Sequence, residues 1–206
     1  MDNKRRLENS AVVAEIDPVG AVVAVCEALK GNVEQAREAL SKLYPLIHQA
    51  SSTRKYTPVQ CMTIFLQDGF IDRYSGKRLV FPGTLRVLSI LLPLEFPYHP
   101  NWKVEVTHPA FWELFPTIDH EVPVSRGGLD KQSNWVTTSQ PMNAAKANWT
   151  LDQLGWRLLD SAPSDEWDGL TRWCLEFVRT REELMRNDYV RKWVTAAQTC
   201  IAQVQT

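Results

Sequence analysis

The stretch from Pro116 to Lys146 constrains the chain most. Strand-like residues at 116–124 and 134–138 flank the pair Gly127-Gly128, and a helix is expected from about Pro141. A hairpin packed on a helix can converge one imidazole, one carboxylate and one amide oxygen on a single point. Here the first strand carries Asp119-His120, Asn134 begins the second, and the helix carries Asn143 and Lys146. Asp119 and Asn143 offer hard oxygen donors suited to Mg²⁺, an ion that keeps several waters and takes few protein ligands. His120 follows Asp119 directly, so it points to the opposite side of the strand and stays available as a base near neutral pH.

Around this stretch the sequence reads as mainly helical. Small apolar residues from Ala11 to Leu29 suit a helix whose N-cap is Asp17, with Pro18 in the first turn. Val33 to His48 reads as a second helix, with Val33, Ala36, Leu40, Leu43 and Ile47 as its core-facing stripe. The polar run 51–55 closes this N-terminal unit. Thr57-Pro58 starts a helix that runs to Gln67, residues 70–82 suggest a short hairpin turning at 74–77, and a further helix spans Thr84 to Leu92. Two helices, 165–185 and 188–204, end the chain. The tryptophans are read as packing residues, and so are His99 and His108 beside their prolines; His48 is expected on a polar helix face.

With 23 Lys+Arg against 24 Asp+Glu, the net charge of −1 excludes a uniformly basic nucleic-acid coat but not a local basic groove. Between Thr53 and Leu88 six basic residues face two acidic ones. Arg73, Lys77 and Arg78 there, with Arg126 and Lys146 near the expected site, suit a phosphate backbone. Cys26, Cys61, Cys174 and Cys200 lie far apart without zinc-ligand spacing, as expected of buried thiols in a reducing cytosol. No stretch reads as a signal peptide or a membrane span, so a cytoplasmic location is expected.

The segment resembles the HNH endonucleases, whose ββα-metal motif is Asp-His, a glycine loop, an Asn on the second strand and an Asn or His on the helix. Asn134 and Asn143 follow His120 by 14 and 23 residues, spacings of the family's order. Carried over residue by residue, the resemblance implies His120 as general base and Asp119 and Asn143 as ligands of one Mg²⁺ (or Mn²⁺). It implies Asn134 as a clamp on the loop and Lys146 as the basic residue after the metal-binding helix position. Upstream, Gln67-Asp-Gly-Phe-Ile-Asp-Arg-Tyr-Ser-Gly76 is similar to the family's opening hairpin. Many members bind a structural zinc through two CxxC pairs. Asp72, Ser75, Ser139 and Met142 stand at those positions here, so no zinc is expected. The insertion from Leu79 to Trp112, rich in Leu, Phe, Trp and Pro, is expected to supply the missing core.

The fold expected is α+β, a ββα-metal core at 56–160 between helical regions at 1–55 and 161–206. The function implied is phosphodiester hydrolysis in DNA, with symmetric pairing as a route to cutting both strands. Two rival readings are a catalytically silent ββα module that binds DNA or protein, and a toxin-type nuclease delivered to competing cells.

Overall fold

Pro18 opens the first helix, as its fixed φ and missing N–H favour. The computed structural model describes residues 18–44, 55–161 and 167–204, which fall into two units divided between residues 52 and 53. The first holds α1 (Pro18–Leu29) and α2 (Val33–Leu43); Asn32 caps α2 by accepting the Gln35 N–H at 2.9 Å. Ala21 and Ala36 are buried in this pair, whereas Val33 and Leu40 are exposed. Much of the stripe read as core-facing therefore meets solvent within this unit. Two short helices bury only the row where they touch, and small residues let them come close. Asp17, Ile47, His48 and Arg54 lie outside the described residues.

The second unit begins with α3 (Pro58–Gln67). Thr57 Oγ1 accepts the Gln60 N–H, and Gln60 Oε1 accepts the Thr57 N–H at 2.8 Å. There follow α4 (Pro82–Leu91), α5 (Ala110–Glu113), β1 (Pro116–His120), β2 (Trp135–Ser139), α6 (Gln140–Lys146), α7 (Leu151–Leu154), α8 (Thr171–Arg179) and α9 (Asp188–Val204). The fold is thus mixed α+β, mostly helical, and among the described residues its one sheet is the antiparallel pair β1–β2. Asp119 faces Val136 and His120 faces Trp135 in its register.

α9 packs against α3 and α4 around Met62, Phe65, Phe81, Val87, Val190, Trp193 and Val194. The C-terminal helices, read from sequence as a region of their own, are part of this core. The insertion contributes Leu79, Phe81, Leu85 and Phe111, all buried, and the rings of Phe96, Tyr98 and Trp102 pack on Phe111. The helix expected over 165–185 is interrupted. Gly169 and Leu170 take left-handed φ of 70° and 63°, so α8 starts only at Thr171. A Cβ on Gly169 would lie 2.5 Å from the Phe70 ring, which requires glycine there. All four cysteines are free; Cys26 on α1 is exposed, contrary to the expectation of buried thiols, while burial pushes the Cys61 and Cys174 thiols up to about 11. Among the described residues no helix is long and apolar enough to cross a membrane.

The hairpin expected over 70–82 shrinks to one bridge, Ile71 to Arg78. Its second arm turns to other partners, since Val80 N–H bonds Leu114 O and Phe81 N–H bonds Gly169 O, each at 2.8 Å. The first arm is fixed by two buried carboxylates. Asp68 Oδ2 accepts the Thr137 N–H and Asp72 Oδ2 accepts the Ser139 N–H, both at 2.8 Å. The outer edge of β2 is thereby covered. Asp72 Oδ1 also accepts the N–H groups of Tyr74 and Ser75, at 2.9 and 3.1 Å. Three of the four positions where the resembled family places zinc thiolates (72, 75 and 139) are joined here through one carboxylate.

Asp72→Ala should therefore lower stability by about 2–3 kcal/mol, because charge-assisted bonds to buried donors are lost together. Chemical denaturation measures this. The wild-type far-UV circular dichroism should be unchanged in EDTA, and loss of helical signal on chelation would refute a carboxylate staple.

Candidate active site

β1 delivers Asp119 and His120 to different surroundings, as successive strand residues must be. Asp119 is 8% exposed and His120 5%. Asp119 Oδ2 accepts a hydrogen bond from the Tyr74 hydroxyl at 2.7 Å and pairs with Lys146 Nζ at 2.8 Å. Lys146 is fully buried, and its ammonium also donates to the His120 backbone oxygen at 2.7 Å. Burial and the Asp119 charge push the Tyr74 phenol far above its usual range, so it remains a donor. One helix residue therefore ties α6 to the end of β1 through both a side chain and the backbone.

Asn143, one turn earlier on α6, donates from Nδ2 to Thr117 Oγ1 at 3.2 Å and to the Ile118 carbonyl at 3.3 Å. Since Ile118 offers only an acceptor there, the amide nitrogen must face the strand, which leaves Oδ1 for another partner. Asp119 Oδ1 and Asn143 Oδ1 are hard oxygen donors of the kind Mg²⁺ takes, and two protein ligands suffice for an ion that retains its waters. The donor set fits such an ion in kind. Among the described residues no group of three or more His, Cys, Asp or Glu side chains is placed to hold a metal.

His120 lies on the other side. Its Nε2 is 2.8 Å from Asp130 Oδ1, and Trp135 Nε1 approaches both atoms, at 3.3 and 3.1 Å. Tyr56 stands edge-on to Trp135 with ring centroids 4.9 Å apart, and 6.5 Å from the His120 ring.

The loop between the strands is closed by Asn134. Its Oδ1 accepts the Val122 N–H, and its Nδ2 donates to the carbonyls of Val122 and Leu129, all at 2.9 Å. Both glycines are required, for different reasons. Gly127 has a left-handed φ of 90°, and a Cβ on Gly128 would lie 1.9 Å from the Val122 oxygen.

The five cations expected on a phosphate backbone divide into two groups. Lys77, Arg78 and Arg126 are exposed; Arg78 stacks on Trp167, and Arg126 lies over Trp149 and donates to Asn148 O. Arg73 and Lys146 have internal partners instead. Arg73 bonds Asp68 Oδ1 and Leu159 O, each at 2.5 Å, while Lys146 is enclosed with Asp119. His99 and His108 accept backbone N–H bonds within their own turns, and His108 stacks on Phe96. Sequence reasoning missed Tyr74, Asp130 and Trp135. Tyr74 read only as a turn residue, Asp130 carried no role in its loop, and Trp135 counted as packing.

Comparison with protein-family models, curated proteins and solved structures found no match to this chain.

Two substitutions separate the parts. Lys146→Met strands a buried carboxylate and should cost about 3–5 kcal/mol, read by denaturant titration. In the same assay Asn134→Ala, losing three bonds that close the loop, should cost about 2 kcal/mol. Asn134→Ala should also leave any Mg²⁺ affinity measured by calorimetry unchanged, which a metal ligand would not.

Proposed function

We propose that the protein is a metal-dependent HNH-type endonuclease that hydrolyses phosphodiester bonds in DNA. The observation that carries this reading is the arrangement of the antiparallel pair and α6: Asp119 and His120 end β1, and the Asn143 amide reaches back to that strand. The residues needed for one proton transfer and for one hard-cation site thus share a single strand–loop–strand–helix unit, at the resembled family's spacing.

In this reading His120 takes a proton from a water molecule as its oxygen bonds to phosphorus in line with the departing 3′-oxygen. The P–O3′ bond breaks, leaving a 5′-phosphate, and the 3′-oxygen takes a proton from solvent. Mg²⁺ (or Mn²⁺) held by Asp119 and Asn143 would stabilise charge on the phosphate and on the leaving oxygen. Asn134 keeps the loop closed. Lys77, Arg78 and Arg126, all exposed, would meet phosphates, with Trp149, half exposed beside Arg126, as an apolar wall. Nicking of both strands would call for two copies.

One observation favours the rival of a silent ββα binding module. Asp119 is already neutralised by Lys146, and His120 reaches little solvent. A plasmid-nicking assay with and without Mg²⁺ decides between them. His120→Ala should lower cleavage roughly 10²–10⁴-fold while DNA and metal binding persist. Asn143→Ala should fail through metal occupancy and recover in part at high Mn²⁺, whereas Asp119→Ala also strands the buried Lys146 ammonium and should lose stability along with metal. His99→Ala and His108→Ala should keep most activity. Wild-type protein that binds DNA but never nicks it would establish the silent module. Cleavage surviving in His120→Ala would remove the assigned base.

A further inference from the structure

His120 has two ring nitrogens, and only one can serve as a base in the neutral ring. Asp130 Oδ1 lies 2.8 Å from Nε2, and an ionised carboxylate can only accept. The proton therefore belongs on Nε2, and the lone pair on Nδ1. Trp135 Nε1–H, which can only donate, has two acceptors in reach: Asp130 Oδ1 at 3.1 Å and His120 Nε2 at 3.3 Å. With Nε2 protonated, the indole N–H turns to the carboxylate, so Asp130 receives both donors. The charged acceptor makes the stronger bonds.

We infer that Asp130 is a positioning residue that holds His120 as its Nε2–H tautomer, keeping Nδ1 as the proton-accepting atom. This rests on the nuclease reading for its catalytic consequence, but not for its geometry. The loop clamp and the strand register place Asp130. Asn134 holds the carbonyl of Leu129, the preceding residue. Trp135 is the cross-strand partner of His120, so its indole is fixed beside the ring by the register itself.

The three groups predict a specific failure. Remove the carboxylate, and of the indole N–H's two acceptors among the described residues Nε2 remains. It then favours a lone pair on Nε2 and drives the proton to Nδ1, the atom needed as base. Asp130 would thus prevent a neighbouring tryptophan from selecting the wrong tautomer.

The test uses full-length protein with ¹⁵N-labelled histidine, read by long-range ¹H–¹⁵N correlation in the alkaline range, beside plasmid-nicking kinetics. Wild type should show the Nε2–H form. Asp130→Ala should shift His120 toward Nδ1–H and lower kcat roughly 10–100-fold with KM little changed. Trp135→Phe in the Asp130→Ala background should restore the Nε2–H form and part of the rate. Asp130→Asn, which keeps an acceptor oxygen, should lie between, and serves also if the alanine variant does not fold. A wild-type Nδ1–H form, or an Asp130→Ala spectrum and rate equal to wild type, would overturn the inference. If the tautomer switches as stated but the wild type cleaves no nucleic acid, the nuclease reading fails and the positioning role stands.

Discussion

Beneath the strand pair, a carboxylate and an ammonium withdrawn from water face each other at 2.8 Å. Neither Asp119 nor Lys146 could be buried alone, because an isolated ion in a low-dielectric interior costs several kcal/mol. Together they fix where α6 sits on β1, and the additional Lys146 bond to the His120 carbonyl fixes it along the strand as well. Everything chemical follows from that contact. Asn143 reaches β1 only because α6 is held there, and Asp119 presents a definite oxygen only because Tyr74 and Lys146 occupy the other.

The loop that joins the strands works by a different principle. No apolar core fills it; Asn134 answers its backbone groups and the two glycines allow the chain to pass close to itself. Order without burial requires hydrogen bonds to be nearly complete. The side chain of Asp130, half exposed at 46%, nevertheless meets His120 at hydrogen-bond distance because the residue before it is clamped.

Legibility in the sequence followed the range of the interaction. Thr57-Pro58 announced α3 through a local signal, an N-cap hydroxyl followed by proline in the first turn, the run from 188 announced α9, and the structure has both with those bounds. The strand pair and α6 were visible for the same reason, although the first strand ends at His120 and the chain from Val124 to Arg126 forms a helical turn in place of its expected end. What failed depended on distant partners. The hairpin at 70–82 lost its second arm to Leu114 and Gly169, which no local pattern announces. Arg73 and Lys146 read as surface cations, since a basic side chain looks the same in sequence whether it meets solvent or a buried carboxylate. Asp130 sits ten residues from His120, and only folding of the loop brings them together.

The carboxylate of Asp72 joins its turn to β2 through backbone N–H groups alone. Four thiolates around a zinc make each of four positions indispensable, whereas here the donors belong to the peptide chain and survive almost any replacement. At Ser75, which is exposed, every residue but proline supplies the same N–H. The whole burden of inheritance falls on one codon. Ser139 is buried and answers to its packing as well, so the freedom to change lies at exposed position 75, whereas the cross-link is lost in a single step if position 72 changes.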